Sequence, residues 1–163
     1  MITLKSPAIK GVITAAIMAA YAYFLYTKNE RGDSSLQYVS FIIYGAGILW
    51  TLFDYKKSPS YTGRFKDNFG QGFRCFIVVT FIMVAFTGIF SAAHPEFARE
   101  AAESIRKDST MIKDRTPPQI DEMVEKAKKQ YTVTLVSISI FGYLIVGAAI
   151  TAAGSALLIK RQQ

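Results

Sequence analysis

The side chains that most often carry out catalysis are sparse and far apart in this sequence. His94 is the one histidine and Cys75 the one cysteine, and they lie at opposite ends of a single apolar segment. A metal site needs several such ligands, and a cysteine nucleophile needs a neighbouring base. We therefore expect no metal and no cofactor, and we interpret Cys75 as a small buried hydrophobic residue.

Acidic and hydroxyl side chains also fail to form a catalytic pattern. Glu96, Glu100 and Glu103 are helical neighbours, but Arg99 and Arg106 alternate with them, as on the solvated side of a helix. Serines and threonines in apolar segments more often bond to the backbone or a neighbouring helix than act as nucleophiles. No glycine-rich phosphate loop follows a strand pattern. The sequence therefore predicts a protein that is not an enzyme.

The elements that would hold these side chains are four bunched apolar segments. The chain has 163 residues, of which 51% are hydrophobic. A bilayer core of about 30 Å needs about 20 helical residues, and isolated spans must be helical to satisfy their backbone. We predict an all-α fold, an integral membrane bundle of four transmembrane helices forming one domain. The predicted spans are residues 8–26, 36–53, 73–93 and 131–159.

The first of these segments also has features of a signal peptide. Lys5 and Lys10 precede its apolar part, and residues 20–22 read Ala-Tyr-Ala, a small-residue pattern typical of cleavage sites. We interpret the segment as a transmembrane span.

The excess of positive charge lies on one side of the predicted spans. The side with both termini carries nine basic residues against two acidic ones, which accounts for the whole net charge of +7. The long connection 94–130 on the other side carries eight residues of each sign. Because basic loops stay in the cytoplasm, we predict that both termini are cytoplasmic. The basic excess indicates a surface for anionic membrane lipids, and we expect no nucleic-acid partner.

Residues 94–130 have the pattern of two amphipathic helices joined near residues 109–116. The second helix would begin with Thr116 as its cap, Pro117 in the first helical position and Gln119 at the capping-box spacing. Its apolar stripe contains Ile120, Met123, Val124 and Ala127. We predict an extramembrane helical hairpin that buries this stripe within the protein; docking of a partner protein on the stripe is the alternative.

Small residues predict how two of the spans pack. They recur at helical spacing in the first and fourth spans, at Gly11, Ala15, Ala19, Gly147, Thr151 and Gly154. Small side chains let helices approach closely in lipid. We predict that these two faces meet inside the protein, with Gly45 and Gly47 of the second span completing the set. Self-association of two chains through one of the faces is the alternative.

Residues 54–72 form a predicted cytoplasmic elbow before the third span. Phe65, Phe69 and Phe73 recur every four residues, which predicts a short interfacial helix. The candidate contacts to a lipid headgroup flank these rings and are Arg64, Lys66 and Arg74. Such residues could hold a lipid phosphate, or they could serve only to anchor the span at the membrane surface.

Four motifs give the chain a family resemblance. They are RFKDNFGQGFRCFIVV before the third span, HPEFARE after it, IDEMVEKAKKQ before the fourth span and the ending ALLIKRQQ. In this order they resemble the bacterial inner-membrane family called domain of unknown function 4199. The resemblance implies a multi-pass protein of the bacterial cytoplasmic membrane, with residues 94–130 in the periplasm. It also implies a role beside polyprenyl-phosphate-linked sugar transfer, with a glycosyltransferase as a possible neighbour.

Two functions agree with these patterns. The first is a non-catalytic accessory or scaffold subunit of an inner-membrane complex, because the spans lack deeply placed ionisable residues and the chain offers contact surfaces. The second is a lipid-binding or lipid-handling membrane protein that uses the basic elbow. A small-solute transporter would need a polar cavity, which the span sequences do not indicate.

Overall fold

All secondary structure in the described part of the chain is helical. A computed structural model describes residues 6–28, 34–110 and 116–159. The helices are α1 (Pro7–Lys28), α2 (Ser34–Lys56), α3 (Phe65–Ala93), α4 (Glu96–Thr110) and α5 (Pro117–Leu157). Four of them, all except α4, are long and apolar enough to cross a membrane. The predicted all-α class and the four apolar spans are therefore confirmed.

Prolines set three of the helix ends. Pro7 and Pro117 occupy the first positions of α1 and α5, where the missing N–H has no helical partner to lose. Pro95 separates α3 from α4, because proline disfavours helical geometry at the residue before it. The side chain of Gln119 accepts a hydrogen bond from the backbone N–H of Thr116 at 3.1 Å, as the capping-box spacing predicts.

Two helices are longer than the predicted spans. α5 has 41 residues and joins the predicted outer helix and the fourth span into one element. α3 has 29 residues and includes the short helix that we predicted at Phe65, with Gly70 and Gly72 in its interior. At its other end α3 stops at Ala93, so the next helix is a separate element and not the continuation that the sequence predicted.

The chain divides into two compact units. Unit 1 comprises residues 1–83 and 141–163, and unit 2 comprises residues 84–140. The predicted turn between α4 and α5 includes residues 111–115, which lie outside the described residues. The cations counted at the termini, Lys5, Lys160 and Arg161, lie outside them as well.

Close helix contacts in unit 1 occur at glycines. The carbonyl oxygen of Cys75 on α3 lies 2.7 Å from where a Cβ on Gly11 would be. The Thr14 side chain of α1 occupies the corresponding space at Gly47 of α2. On α5, Gly147 is covered by the Tyr44 hydroxyl and the Phe76 ring. The helices of unit 1 therefore approach more closely than any larger residue at these positions would allow.

These contacts correct the predicted pairing of the first and fourth spans. The nearest neighbours of Gly11 belong to α3, and those of Gly147 and Gly154 belong to α2 and α3. The two small faces therefore pack on the intervening helices and not on each other. The reason is that bulky side chains such as Tyr44 and Leu52 fill the space beside a glycine as well as a second glycine would.

Three buried polar atoms lack hydrogen-bond partners at the α3–α5 contact of unit 1. They are Asn68 Oδ1, Thr151 Oγ1 and Ser155 Oγ, and all three residues are fully buried. The Asn68 amide donates a long hydrogen bond to the Ser155 carbonyl at 3.5 Å. By contrast, the hydroxyl of Thr51 donates to the carbonyl four residues earlier. The same backbone contact is made by Thr14 and Thr80.

In unit 2, α4 and the first part of α5 contact each other. Ala102 of α4 and Ile120 of α5 are buried, and Arg106 pairs with Asp121. Farther along α5, Thr132 shares a hydrogen bond of 3.0 Å with Ser91 of α3. Small and apolar side chains thus bring these helix segments together, with a charged pair at their exposed surface.

Candidate functional site

Lys10 is a buried cation in the first turn of α1. Its side chain is 3% exposed and its ammonium donates a hydrogen bond to Asp54 at the end of α2. The ammonium also lies 5.4 Å from the centre of the Trp50 ring, within the range of a cation–π contact. This corrects the sequence interpretation, which treated Lys10 as a solvated flanking charge.

The pairing with Asp54 explains why Lys10 can be buried. An unpaired ammonium in a nonpolar surrounding is strongly unfavourable, whereas a paired one is tolerated inside membrane proteins. The Asp54 side chain is 42% exposed, so the pair is buried on the lysine side and open on the carboxylate side.

The open side of this pair borders a cavity of about 450 Å³, which we call the Lys10 cavity. Its volume is within the range of small-molecule sites, about 300–1,000 Å³. Its lining is mostly polar and comprises Pro7, Lys10, Thr51, Asp54, Tyr55, Lys57, Ser58, Pro59, Ser60 and Gln71. The cavity therefore combines two cations, one carboxylate and several hydroxyls at one end of unit 1.

The loop between α2 and α3 forms one wall of this cavity and is tied by its own side chains. The hydroxyl of Tyr55 donates to the Ser60 carbonyl at 3.1 Å, and the Tyr55 ring packs edge-on against Tyr61. The Tyr61 hydroxyl donates to the carbonyl of Leu158, just after α5. Residues near both ends of the chain, Lys10 and Leu158, thus lie at the same end of unit 1.

A second depression of about 410 Å³ lies beside the first, and we call it the Arg74 groove. Tyr55 and Gln71 line both. The remaining lining residues are Thr62, Lys66, Asp67, Gly70 and Arg74. Of the three headgroup contacts predicted from sequence, Lys66 and Arg74 come together here. The third, Arg64, is exposed but is not part of the lining.

An aromatic stripe runs along α3 next to these cations. The rings of Phe65 and Phe69 stack with centres 5.8 Å apart, and those of Phe69 and Phe73 with centres 6.3 Å apart. Phe65 and Phe73 are 43% and 44% exposed. The start of α3 therefore presents outward rings on one face and Lys66 and Arg74 on the adjacent face, an arrangement typical of helices at a membrane interface.

The predicted partner surface on α5 is divided between different surroundings. Ile120 is buried, Val124 and Ala127 are half-buried, and Met123 is 37% exposed. Ala127 lines an apolar groove of about 240 Å³ with Ile105 and other residues of unit 2, whereas Met123 lines a polar depression. The four residues therefore do not form one continuous surface.

Catalytic and metal-binding arrangements follow a similar pattern. In residues 6–28, 34–110 and 116–159, no three histidine, cysteine or acidic residues are placed to hold a metal ion. Cys75 is fully buried, with its thiol directed at the Gly47 carbonyl at 3.8 Å. His94 shares a hydrogen bond of 2.8 Å with Glu96, its neighbour across the α3–α4 break.

The sequence reasoning missed the central residues of the Lys10 cavity. A signal was present in α1, where Lys10 is in helical phase with Gly11, Thr14, Ala15 and Met18, the buried face of this helix. A lysine on the small-residue face of a span is a candidate for a buried ion pair. Its partner Asp54 is the acidic residue at the end of the next helix.

These observations define a class: an all-helical protein with four membrane-length apolar helices and a polar, basic cavity at one end of its helix bundle. A family model described as "Protein of unknown function (DUF4199)" matches residues 9–161. The chain belongs to this family, as its motifs predicted. No curated protein and no solved structure matches it.

Proposed function

We propose that this is a non-catalytic, multi-pass membrane protein that binds the phosphate-bearing headgroups of anionic lipids at the basic end of unit 1. The Arg74 groove is the observation that carries this proposal. It combines Lys66 and Arg74 with the adjacent outward-facing rings of α3, at the start of a membrane-length helix. Cations at the headgroup level and rings at the acyl boundary stabilise the same lipid from two sides.

The orientation we propose places this end in the cytoplasm of a bacterium, at the inner membrane. The support is the excess of basic residues on the side of both termini, nine against two. Residues 94–130 then lie in the periplasm and form a helical hairpin. The contact between Arg106 and Asp121 is in keeping with antiparallel packing of α4 and the start of α5.

Native mass spectrometry of the purified protein with added phosphatidylglycerol tests this function. Each basic residue near an anionic headgroup contributes about 1 kcal/mol, so replacing three weakens binding by about 3 kcal/mol, roughly a hundredfold. The test variant changes Arg64, Lys66 and Arg74 to glutamine. The matched control changes three exposed lysines of unit 2, Lys126, Lys128 and Lys129, to glutamine.

We expect the test variant to lose phosphatidylglycerol adducts and the control to keep them. Unchanged adducts in the test variant would remove the proposed function, because the groove would then contribute nothing to lipid binding. Equal losses in both variants would also count against it, since they would indicate only a general effect of charge.

A second candidate function, an accessory subunit of an inner-membrane complex, is favoured by the exposure of α5. Only 6% of its most apolar window is buried within the protein, against 28–33% for the other three spans. A partner such as a glycosyltransferase of polyprenyl-phosphate-linked sugar transfer, or a second copy of the chain, would cover this face. Copurification in mild detergents tests it, and a monomer without bound protein in each detergent would oppose it.

A further inference from the structure

The Lys10 cavity contains both signs of charge in direct contact, which the Arg74 groove does not need in order to bind an anion. Lys10 and Asp54 form an ion pair in its wall, and Lys57 adds a further cation. These three residues are the charged groups that line the cavity, and they come from α1, α2 and the loop after α2. A ligand bound here meets an anionic carboxylate as well as two ammonium groups.

This arrangement disfavours ligands that carry only one sign of charge. A phosphate alone would approach Lys10 and Lys57 but would be repelled by Asp54. An ammonium alone would find the carboxylate but would be repelled by the two lysines. A ligand with a phosphate and an ammonium satisfies all three side chains, because each charge faces its opposite.

The hydrogen-bonding capacity of the cavity agrees with such a ligand. An ammonium group has three donors, and the structure shows one donor of Lys10 bound to Asp54. The Asp54 carboxylate is exposed toward the cavity and can accept from a primary ammonium. Ser58 and Ser60 share a hydrogen bond of 2.8 Å with each other and can reorient their hydroxyls toward phosphate oxygens.

We propose that the Lys10 cavity binds the headgroup of an aminophospholipid, with the phosphate at Lys10 and Lys57 and the primary ammonium at Asp54. This inference rests on the proposed lipid-binding function and specifies its ligand. The Arg74 groove shares Tyr55 and Gln71 with the cavity, so anionic lipids gather beside a site that selects for the amine.

The test compares four probes on the full-length protein by native mass spectrometry. They are phosphatidylethanolamine, phosphatidylcholine, phosphatidylglycerol and water-soluble phosphoethanolamine. We expect the wild type to prefer phosphatidylethanolamine over phosphatidylcholine by at least tenfold, because a quaternary ammonium cannot donate a hydrogen bond to Asp54. Equal binding of these two lipids would overturn the proposal without any variant being needed. Soluble phosphoethanolamine should bind at least tenfold more weakly, and equal or tighter binding would assign the cavity to a soluble compound instead.

Variants then separate this inference from the proposed function. Asp54→Asn should abolish the preference for phosphatidylethanolamine and retain binding of phosphatidylglycerol, whereas Asp54→Glu should restore the preference. Lys57→Gln changes an exposed residue and should weaken phosphatidylethanolamine even if the Asp54 variants do not fold. An unchanged preference in both Asp54→Asn and Lys57→Gln would refute the inference. If phosphatidylglycerol binds through the Arg74 groove without any preference for the amine, the function stands and this inference falls. If no lipid binds, both fall.

Discussion

The substitution Gly11→Ala tests the closest helix contact in unit 1. A Cβ at residue 11 would lie 2.7 Å from the Cys75 carbonyl oxygen and 3.0 Å from the Val78 Cβ, whereas ordinary contact begins at 3.4 Å. The helices α1 and α3 must therefore separate by about 0.7 Å, the difference between 3.4 and 2.7 Å. Because a backbone carbonyl cannot rotate away as a side chain can, we expect a destabilisation of about 1–3 kcal/mol from this crowding.

The control for this measurement is Gly142→Ala in α5. No atom lies within 4 Å of a Cβ built at Gly142, so this change adds a methyl group without a clash. Both substitutions also gain the helix propensity of alanine, about 1 kcal/mol, so that their difference isolates the crowding. Gly11→Ala should therefore be less stable than Gly142→Ala by about 1–3 kcal/mol.

The assay is unfolding by sodium dodecyl sulfate in mild-detergent micelles, followed by the fluorescence of Trp50, the one tryptophan. Trp50 lies beside Lys10, so its emission reports on the same end of unit 1. Equal midpoints for Gly11→Ala and Gly142→Ala would show that α1 does not pack against α3 at this point, and the packing described for unit 1 would then be wrong.

Three further predictions concern polar contacts, each measured as a free energy of unfolding in the same assay. Asp54→Asn should cost about 3–5 kcal/mol because it strands the 3%-exposed Lys10, and Lys10→Met should cost clearly less because Asp54 is 42% exposed; the reverse order would contradict the burial of the lysine. Thr51→Val should cost about 0.5–1.5 kcal/mol, whereas Thr151→Val, which removes a hydroxyl without a partner, should be neutral or stabilising; equal costs would mean that the Thr151 hydroxyl is hydrogen-bonded. Arg106→Ala should change stability by less than about 1 kcal/mol, since both partners of its ion pair are more than half exposed; a larger loss would indicate a structural role for this pair.

The helices could be predicted largely because their signals are local. Span lengths follow from runs of apolar residues, and the start of α5 follows from Thr116, Pro117 and Gln119, which act within one helical turn. The break before α4 depends on Pro95, which the sequence shows directly. Its effect was underestimated, because the helical periodicity on both sides of the proline suggested one continuous helix.

The pairing of helices and the Lys10 cavity depend on residues distant in sequence. Lys10 and Asp54 are 44 residues apart, and nothing near either one specifies its partner. A positive charge near the start of a span has the same local pattern whether it faces water or a carboxylate. For the same reason the small face at Gly11 could not reveal that its neighbour is the Cys75 carbonyl, since many surfaces can fill such a gap.

Within the candidate lipid-binding region, the sequence identified the parts that lie along a single helix. Lys66 and Arg74 are two helical turns apart on α3 and line the same groove, as their spacing suggested. The loop residues Ser58 and Ser60 were missed because their position depends on the tyrosine contacts that hold the loop in place.

Membrane topology is the most direct test of the whole account, because the lipid-binding proposals require the α2–α3 loop and the start of α5 to lie on opposite sides of a membrane. Single cysteines at Ser60 and at Gln119, both exposed, can be probed in intact cells with a membrane-impermeant maleimide. The buried native Cys75 provides the unlabelled background. We predict labelling of Gln119→Cys in intact cells and labelling of Ser60→Cys only after the membrane is opened. Labelling of both positions from the same side would contradict the four-span arrangement.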